Sequence, residues 1–200
     1  MISVYQLKPK FQQLLTPILL FLNNHKITAN QITISSVILS AIIGILFWFV
    51  DDSKWLFLSL PVGLLFRMAL NALDGMMARN FNQTSKMGEV LNEVGDIVSD
   101  VIVFFPLIKF HPESLYLIVI FILLSIINEF AGLLGKVVGT QRRYDGPMGK
   151  SDRALLLGIY GLTAFFGGDI SSFSQYIFAG VILLLLISTF TRLKKSLNEA

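Results

Sequence analysis

The sequence predicts an all-α integral membrane protein with six transmembrane helices and an N-terminal amphipathic surface helix. Of its 200 residues, 54% are hydrophobic and only 14% are charged, whereas a soluble domain carries about 25% charged residues. Long apolar segments follow one another along the chain. The count of Cys 0 excludes disulfide frameworks and cysteine nucleophiles. The net charge of +3 is too small to indicate a nucleic-acid partner.

The first element is expected over residues 1–23, where Lys8 and Lys10 precede the apolar stretch 14–22. This pattern favours an amphipathic helix lying at the membrane surface. The alternative is a first helix that simply packs against the core. No small-residue cleavage site follows the stretch, so a signal peptide is not expected.

Six later segments approach the roughly 20 apolar residues that a span needs. They are residues 32–50, 55–74, 90–110, 114–135, 154–167 and 173–191 of a single domain covering 1–200. Asn30 and Ser151 are the expected N-caps of the first and fifth spans. With six spans, all Lys and Arg residues except Lys54, Lys109 and the intramembrane Arg67 fall on one side. The positive-inside rule then places both termini of this multi-pass protein in the cytoplasm.

Ionisable side chains inside spans are costly, so they mark a candidate site. Asn71 and Asp74 are three residues apart in the second span, and Asn92 and Asp96 are four apart in the third. Each pair therefore lies on one helix face, and we expect the two polar faces to meet. Such oxygens are suited to Mg²⁺ or Mn²⁺, which in turn bind substrate phosphates. The alternative is that they only hydrogen-bond between packed helices.

Small and basic residues surround these four. Gly75 and Ala78 keep the helix surface flat enough for a bulky substrate, and Gly88 does the same on the facing helix. Arg79 is a planar donor suited to a phosphate or carboxylate. Asp96, the deepest of the four polar residues, is the candidate general base.

The loop from Lys136 to the fifth span is the most basic stretch of the chain. Arg142, Lys150 and Arg153 are candidate substrate-binding residues, forming an anion pocket for an acceptor phosphate or a lipid headgroup. Lys150 and Arg153 open a predicted helix, whose N-terminus favours anions. The alternative is that these charges set topology and attract anionic lipids.

Three further ionisable groups lie within the predicted spans. Arg67 is expected either to pair with Glu129 or to contact a substrate. Asp100 lies one turn beyond Asp96 and is a candidate to compensate for the two asparagines.

The segment from Asn71 to Asp96 resembles the signature of the CDP-alcohol phosphatidyltransferases, D-x2-D-G-x2-A-R-x8-G-x3-D-x3-D. Glycine, alanine and arginine match at the same spacing, and Asp74 and Asp96 match the second and fourth acidic positions. Asn71 and Asn92 stand at the first and third. The motif covers about a seventh of the chain.

The resemblance implies transfer of a phosphatidyl-type group from a CDP-linked lipid, such as CDP-diacylglycerol, to the hydroxyl of a small alcohol. The reaction releases CMP and is expected to be a step of phospholipid biosynthesis. It also implies divalent ions at Asn71, Asp74, Asn92 and Asp96, Asp96 as the base, and a homodimer. A bacterial cytoplasmic (inner) membrane is the expected location. Because two aspartates are replaced, the site is expected to bind either one or two Mg²⁺ or Mn²⁺ ions. The motif does not specify the acceptor alcohol. The alternatives are a catalytically silent CDP-lipid-binding protein and a small transporter.

Overall fold

The computed structural model describes residues 8–139 and 141–198, and every regular element in that part of the chain is helical. The α-helices are α1 Lys8–Asn24, α2 Ala29–Trp48, α3 Ser59–Asn80, α4 Lys86–Phe104, α5 Leu107–Phe110, α6 Leu115–Val138, α7 Lys150–Phe165 and α8 Ser174–Asn198. Short 3₁₀ turns at Val50–Asp52, Lys54–Leu58, Pro112–Ser114 and Ser171–Phe173 connect them at one end of the bundle.

Helix α1 packs against α3 and the start of α2. Leu15 and Leu19 are buried there against Met77, while Leu14 and Phe21 on other faces are exposed. One face therefore contributes to the core, as the core-packing alternative expects. The position of this helix at a membrane surface stays a prediction, and residues 1–7 of the predicted element lie outside the described residues.

Helix α2 is the central element, because it contacts both α3 and α4. Its N-cap is Thr28, which forms a capping box with Gln31, so the prediction of Asn30 as the cap was wrong. A threonine followed three residues later by glutamine satisfies two orphan N–H groups, which Asn30 would not.

A small residue of α2 allows close contact with α4: a Cβ on Gly44 would lie 2.7 Å from the Ile102 side chain.

Within residues 8–139 and 141–198, four helical segments are long and apolar enough to cross a membrane: Ala29–Trp48, Lys54–Asn80, Pro112–Val138 and Ser171–Asn198. Large side chains such as Ile38, Ile42 and Leu65 are exposed along them, as lipid-facing residues would be. The protein is therefore a membrane protein. The predicted count of six also needs α4, which carries several charges, and α7, which has only 16 residues. That count stays a prediction.

The remaining helices complete the bundle. Helix α6 packs along α8, and α7 packs against α3, where Gly161 lies against Leu60. The N-cap of α7 is Gly149, not Ser151 as predicted. Its N–H donates to Asp152 Oδ2 over 3.1 Å, so the acid at the third helical position accepts the hydrogen bond of the N-cap N–H. The packing brings the N-terminus of α7 beside the middle of α4.

Candidate active site between the third and fourth helices

A cavity of about 820 Å³ lies where α3 ends and α4 begins, and residues of α1, α2, α6, α8, the loop before α7 and the start of α7 complete its wall. The structure brings nearly all of the site residues predicted from sequence to this one cavity. They are Asn71, Asp74, Gly75, Ala78, Arg79, Gly88, Asn92, Asp96, Arg142 and Lys150. Arg153 is the exception, and its position is described below.

Helix α2 orients the polar face of α3. Thr33 Oγ1 donates to Asp74 Oδ2 over 2.9 Å, and Ser36 Oγ donates to Asn71 Oδ1 over 2.6 Å. Thr33, Ser36 and Ser40 are all buried. Thr33 and Ser36 were not among the site residues predicted from the sequence. Their signal was present as hydroxyl residues at three- and four-residue steps along one face of an otherwise apolar span.

The polar face of α4 meets that of α3, as the spacing predicted. Asn71 Nδ2 donates to Asp96 Oδ1 over 3.4 Å. The same oxygen accepts from Lys150 Nζ at the start of α7. Asn92, half-buried, lies one turn nearer to the start of α4 and also lines the cavity. Three helices thus contribute polar groups around Asp96.

The donor set can be tested against a divalent cation. Within residues 8–139 and 141–198, no group of three or more Asp, Glu, His or Cys side chains is placed to hold a metal ion. The cavity instead offers the carboxylates of Asp74 and Asp96 and the amide oxygens of Asn71 and Asn92. Oxygens of both kinds ligate Mg²⁺ and Mn²⁺, so these residues fit such an ion. Asn71 would have to turn its oxygen from Ser36 toward the ion.

The two motif glycines accommodate neighbouring side chains. A Cβ on Gly75 would lie 3.2 Å from Arg79 Nη1, so the glycine lets the arginine side chain lie along the helix. A Cβ on Gly88 would lie 2.7 Å from Asn30 Oδ1. The sequence analysis assigned both glycines to substrate access. In the structure, Gly75 gives room to Arg79, and Gly88 lets α4 approach the first turn of α2.

A buried network of ion pairs lies next to Asp96. Arg67 Nη2 donates to Asp100 Oδ1 over 2.6 Å, so the predicted Arg67–Glu129 pair was wrong. Arg153 Nη2 donates to Asp100 Oδ2 over 2.8 Å and to Glu129 Oε1 over 2.9 Å. Asp100 is therefore occupied by two guanidinium groups and does not compensate for Asn71 or Asn92 as the sequence analysis considered.

Arg153 belongs to this network rather than to the cavity wall. Its side chain is 0% exposed and holds Asp100 and Glu129 together across three helices. The N–H of Gly149 at the start of α7 donates to Asp152 Oδ2, and binding of an anion at this N-terminus stays a prediction. Arg153 is therefore a buried partner of Asp100 and Glu129 and does not line the cavity.

The basic loop contributes Arg142 to the cavity. Its guanidinium donates to Glu93 over 2.5 Å and to Glu129 over 2.9 Å, and lies 5.0 Å from the ring of Tyr144. The loop itself is tied to α8 because Asp145 accepts from Lys195 over 2.5 Å. Partial burial would raise the pKa of Asp145, but the hydrogen bond from Lys195 and the charge of Arg143 hold that pKa below its usual range.

Comparison with known sequences finds the same family that the motif resembles. A family model described as CDP-alcohol phosphatidyltransferase matches residues 26–193. The inner membrane protein YnbA of Escherichia coli (strain K12) is 40% identical over 195 residues, covering 98% of this chain and 96% of the relative. The CDP-diacylglycerol–glycerol-3-phosphate 3-phosphatidyltransferase of Aquifex aeolicus (strain VF5) is 30% identical over 118 residues, covering 58% of this chain and 61% of the relative.

Solved structures share the fold. The phosphatidylinositol phosphate synthase PgsA1 of Mycobacterium tuberculosis, in complex with manganese and citrate, superposes with a TM-score of 0.74 at 22% identity, covering 90% of this chain and 88% of that chain. The same protein with CDP-DAG bound gives a TM-score of 0.69 at 21% identity, covering 94% and 93%. The helical arrangement is therefore one that has been observed experimentally.

Proposed function

The chain belongs to the CDP-alcohol phosphatidyltransferase family, and on that premise we propose that it is a working enzyme of phospholipid biosynthesis. It transfers a phosphatidyl-type group from a CDP-linked lipid, such as CDP-diacylglycerol, to the hydroxyl of a small alcohol and releases CMP. The CDP-DAG bound to the tuberculosis relative supports this class of donor.

The observation that supports this function most is the meeting of the α3 and α4 polar faces in one cavity. Asp74 and Asp96 both line it, and the Asn71 amide spans from one helix to the other. Cationic side chains reach the same cavity from the α3 end and from α7. Phosphoryl transfer requires charge neutralisation, alignment and a nearby base, which is what these residues offer.

Asp74, Asp96, Asn71 and Asn92 are the residues that would hold Mg²⁺ or Mn²⁺. Manganese in the tuberculosis relative supports a divalent cation. Such an ion supplies positive charge to the diphosphate of the donor. Thr33 holds the Asp74 carboxylate in place before any ion binds, whereas Ser36 holds the Asn71 oxygen, which would turn to the ion on binding.

Asp96 accepts the proton of the attacking hydroxyl. The acceptor oxygen forms a bond to the lipid-linked phosphorus, and the bond from that phosphorus to the oxygen of CMP breaks. Arg79, Gly75, Ala78, Gly88 and Arg142 all line the cavity, and we assign the first four to the donor. We assign Arg142 to the acceptor side because its guanidinium lies beyond Asp96 in the direction of α6.

We further propose that α4 and α7 cross the membrane with the four longer segments, giving six spans and cytoplasmic termini. At about 1.5 Å per residue, 19 and 16 helical residues reach roughly 28 and 24 Å, close to the hydrocarbon thickness. A homodimer in the cytoplasmic membrane of a bacterium completes the proposal. YnbA, named as an inner membrane protein, supports that location.

A silent CDP-lipid-binding protein is the second candidate, and one observation favours it. Two of the four motif positions are amides, so the described cavity lacks a cluster of three acidic ligands. Weaker binding of the metal ion would still allow the CDP-linked lipid to bind, but the phosphatidyl-type group would not be transferred.

The test is CMP release from CDP-diacylglycerol by the purified protein in mixed micelles, across a panel of glycerol 3-phosphate, serine, inositol phosphate and other small alcohols. Mg²⁺ and Mn²⁺ are each supplied. Acceptor-dependent CMP release supports the enzyme and identifies its acceptor. Saturable CDP-diacylglycerol binding without release, under every condition, supports the silent candidate instead.

A further inference from the structure

Lys150 is a cationic side chain of the cavity that binds directly to the carboxylate of a proposed metal ligand. Lys150 Nζ donates to Asp96 Oδ1 from the first turn of α7. Its charge also acts on the Asp74 carboxylate. Lys150 therefore interacts with both carboxylates at the four motif positions.

The charges of the site favour a single ion. Asp74 and Asp96 are the two carboxylates at the four motif positions, and Asn71 and Asn92 carry none. Asp100, one turn away, is committed to Arg67 and Arg153. Before the donor binds, these two carboxylates balance one divalent cation, and a second divalent cation would be repelled by the first ion and by Lys150.

We propose that Lys150 takes the place of a second divalent cation, so that the donor diphosphate is bound by one metal ion and one ammonium group. This inference rests on the proposed function and deepens it. A lysine ammonium is a compact point charge on a flexible stem, and lysine is a common ligand of phosphate oxygens. In the absence of substrate it rests on Asp96; with the diphosphate bound it transfers to a phosphate oxygen.

The direct test is the number of Mn²⁺ ions bound per chain. The purified protein is titrated with Mn²⁺ in the presence of CDP, and free Mn²⁺ is read from its electron paramagnetic resonance signal. One ion per chain is expected. Two ions per chain would overturn the proposal, even if the protein releases CMP. Absence of CMP release would instead count against the proposed function, so the two failures are distinguishable.

Variants test the residue itself. Lys150→Met removes the ammonium group from Asp96 Oδ1, so we expect Mn²⁺ without CDP to bind several-fold more tightly, while CDP in the presence of Mn²⁺ binds at least tenfold more weakly. Lys150→Arg keeps the charge and retains most CDP binding. Unchanged Mn²⁺ and CDP affinities in folded Lys150→Met would also overturn the proposal.

Lys86→Met is the matched control. Lys86 also lines the cavity, but it lies ten positions before Asp96 on α4, roughly 15 Å along the axis. Removing its charge should change Mn²⁺ affinity much less than removing that of Lys150. Equal effects of the two substitutions would mean that only the total charge of the cavity matters, which contradicts a specific role for Lys150. A triple variant, Asn71→Asp, Asn92→Asp and Lys150→Met, is expected to bind two ions.

Discussion

Thr33 Oγ1 donates a 2.9 Å hydrogen bond to Asp74 Oδ2, so a hydroxyl of α2 orients a carboxylate of α3. Both side chains are buried, and the two residues are 41 positions apart. Groups that support a metal ligand in this way affect the ion nearly as strongly as the ligand does. The interface between α2 and α3 is therefore part of the site.

Replacing Thr33 with valine should weaken the site without altering its shape. The methyl group fills the space of the hydroxyl but leaves Asp74 without its donor. We expect Mn²⁺ affinity and the rate of CMP release to fall roughly 10–100-fold. Thr33→Ser keeps the hydroxyl and serves as the control. Equal Mn²⁺ affinity in the valine and serine variants would contradict the role given to Thr33.

Asp96→Asn removes the proposed base and one charged ligand together. General-base catalysis contributes about 10²–10⁴-fold to rate, so CMP release should fall by at least that factor. Thermal unfolding in detergent should change little, because Asp96 is only half-buried. Glu89→Gln is the control, since Glu89 also lines the cavity but pairs with Lys136 at the surface. Turnover retained in Asp96→Asn would exclude Asp96 as the base.

Removal of divalent ions should stop the reaction. Treatment with EDTA is expected to abolish CMP release because Lys150 alone does not neutralise a diphosphate, and either Mg²⁺ or Mn²⁺ should restore it. The measurement is CMP release before and after re-addition of each ion. Full activity in EDTA would contradict the metal role assigned to Asp74 and its neighbours.

Arg153→Leu should destabilise the fold. It leaves Asp100 and Glu129, both buried, without one of their guanidinium partners. Breaking a buried ion pair in this way typically costs about 3–5 kcal/mol. Thermal unfolding in detergent measures the loss, and Arg79→Leu, at an exposed position, is the control for stability. If both variants unfold at the same temperature, Arg153 does not stabilise the fold through these two carboxylates.

Two glycines should respond in opposite directions to alanine. A Cβ on Gly161 would lie 2.8 Å from the carbonyl oxygen of Phe57, where only a shift of α7 away from the 3₁₀ turn Lys54–Leu58 makes room. Overpacking of this kind costs about 1–3 kcal/mol. Gly180 in α8 has nothing within 4 Å of the added atom, so alanine there should stabilise by up to about 1 kcal/mol. Unfolding temperatures of Gly161→Ala and Gly180→Ala provide the comparison.

Much of the cavity was predictable because its residues lie at local helical spacings. Asn71 and Asp74 on one helix, and Asn92 and Asp96 on the next, share faces by the geometry of the α-helix alone. Two antiparallel helices joined by a short loop then have few ways to turn these polar faces away from each other. The comparison with known families bears out the resemblance that this segment carried.

By itself, the sequence determined the helical membrane class, the polar faces of α3 and α4, and the family. Only the tertiary structure decided which charges pair. Arg67 pairs with Asp100 and not with Glu129, and Arg153 lies inside the network and not at the cavity. These pairs join residues 24 to 53 positions apart. Their partners depend on how each helix is rotated and packed, which helical periodicity does not specify.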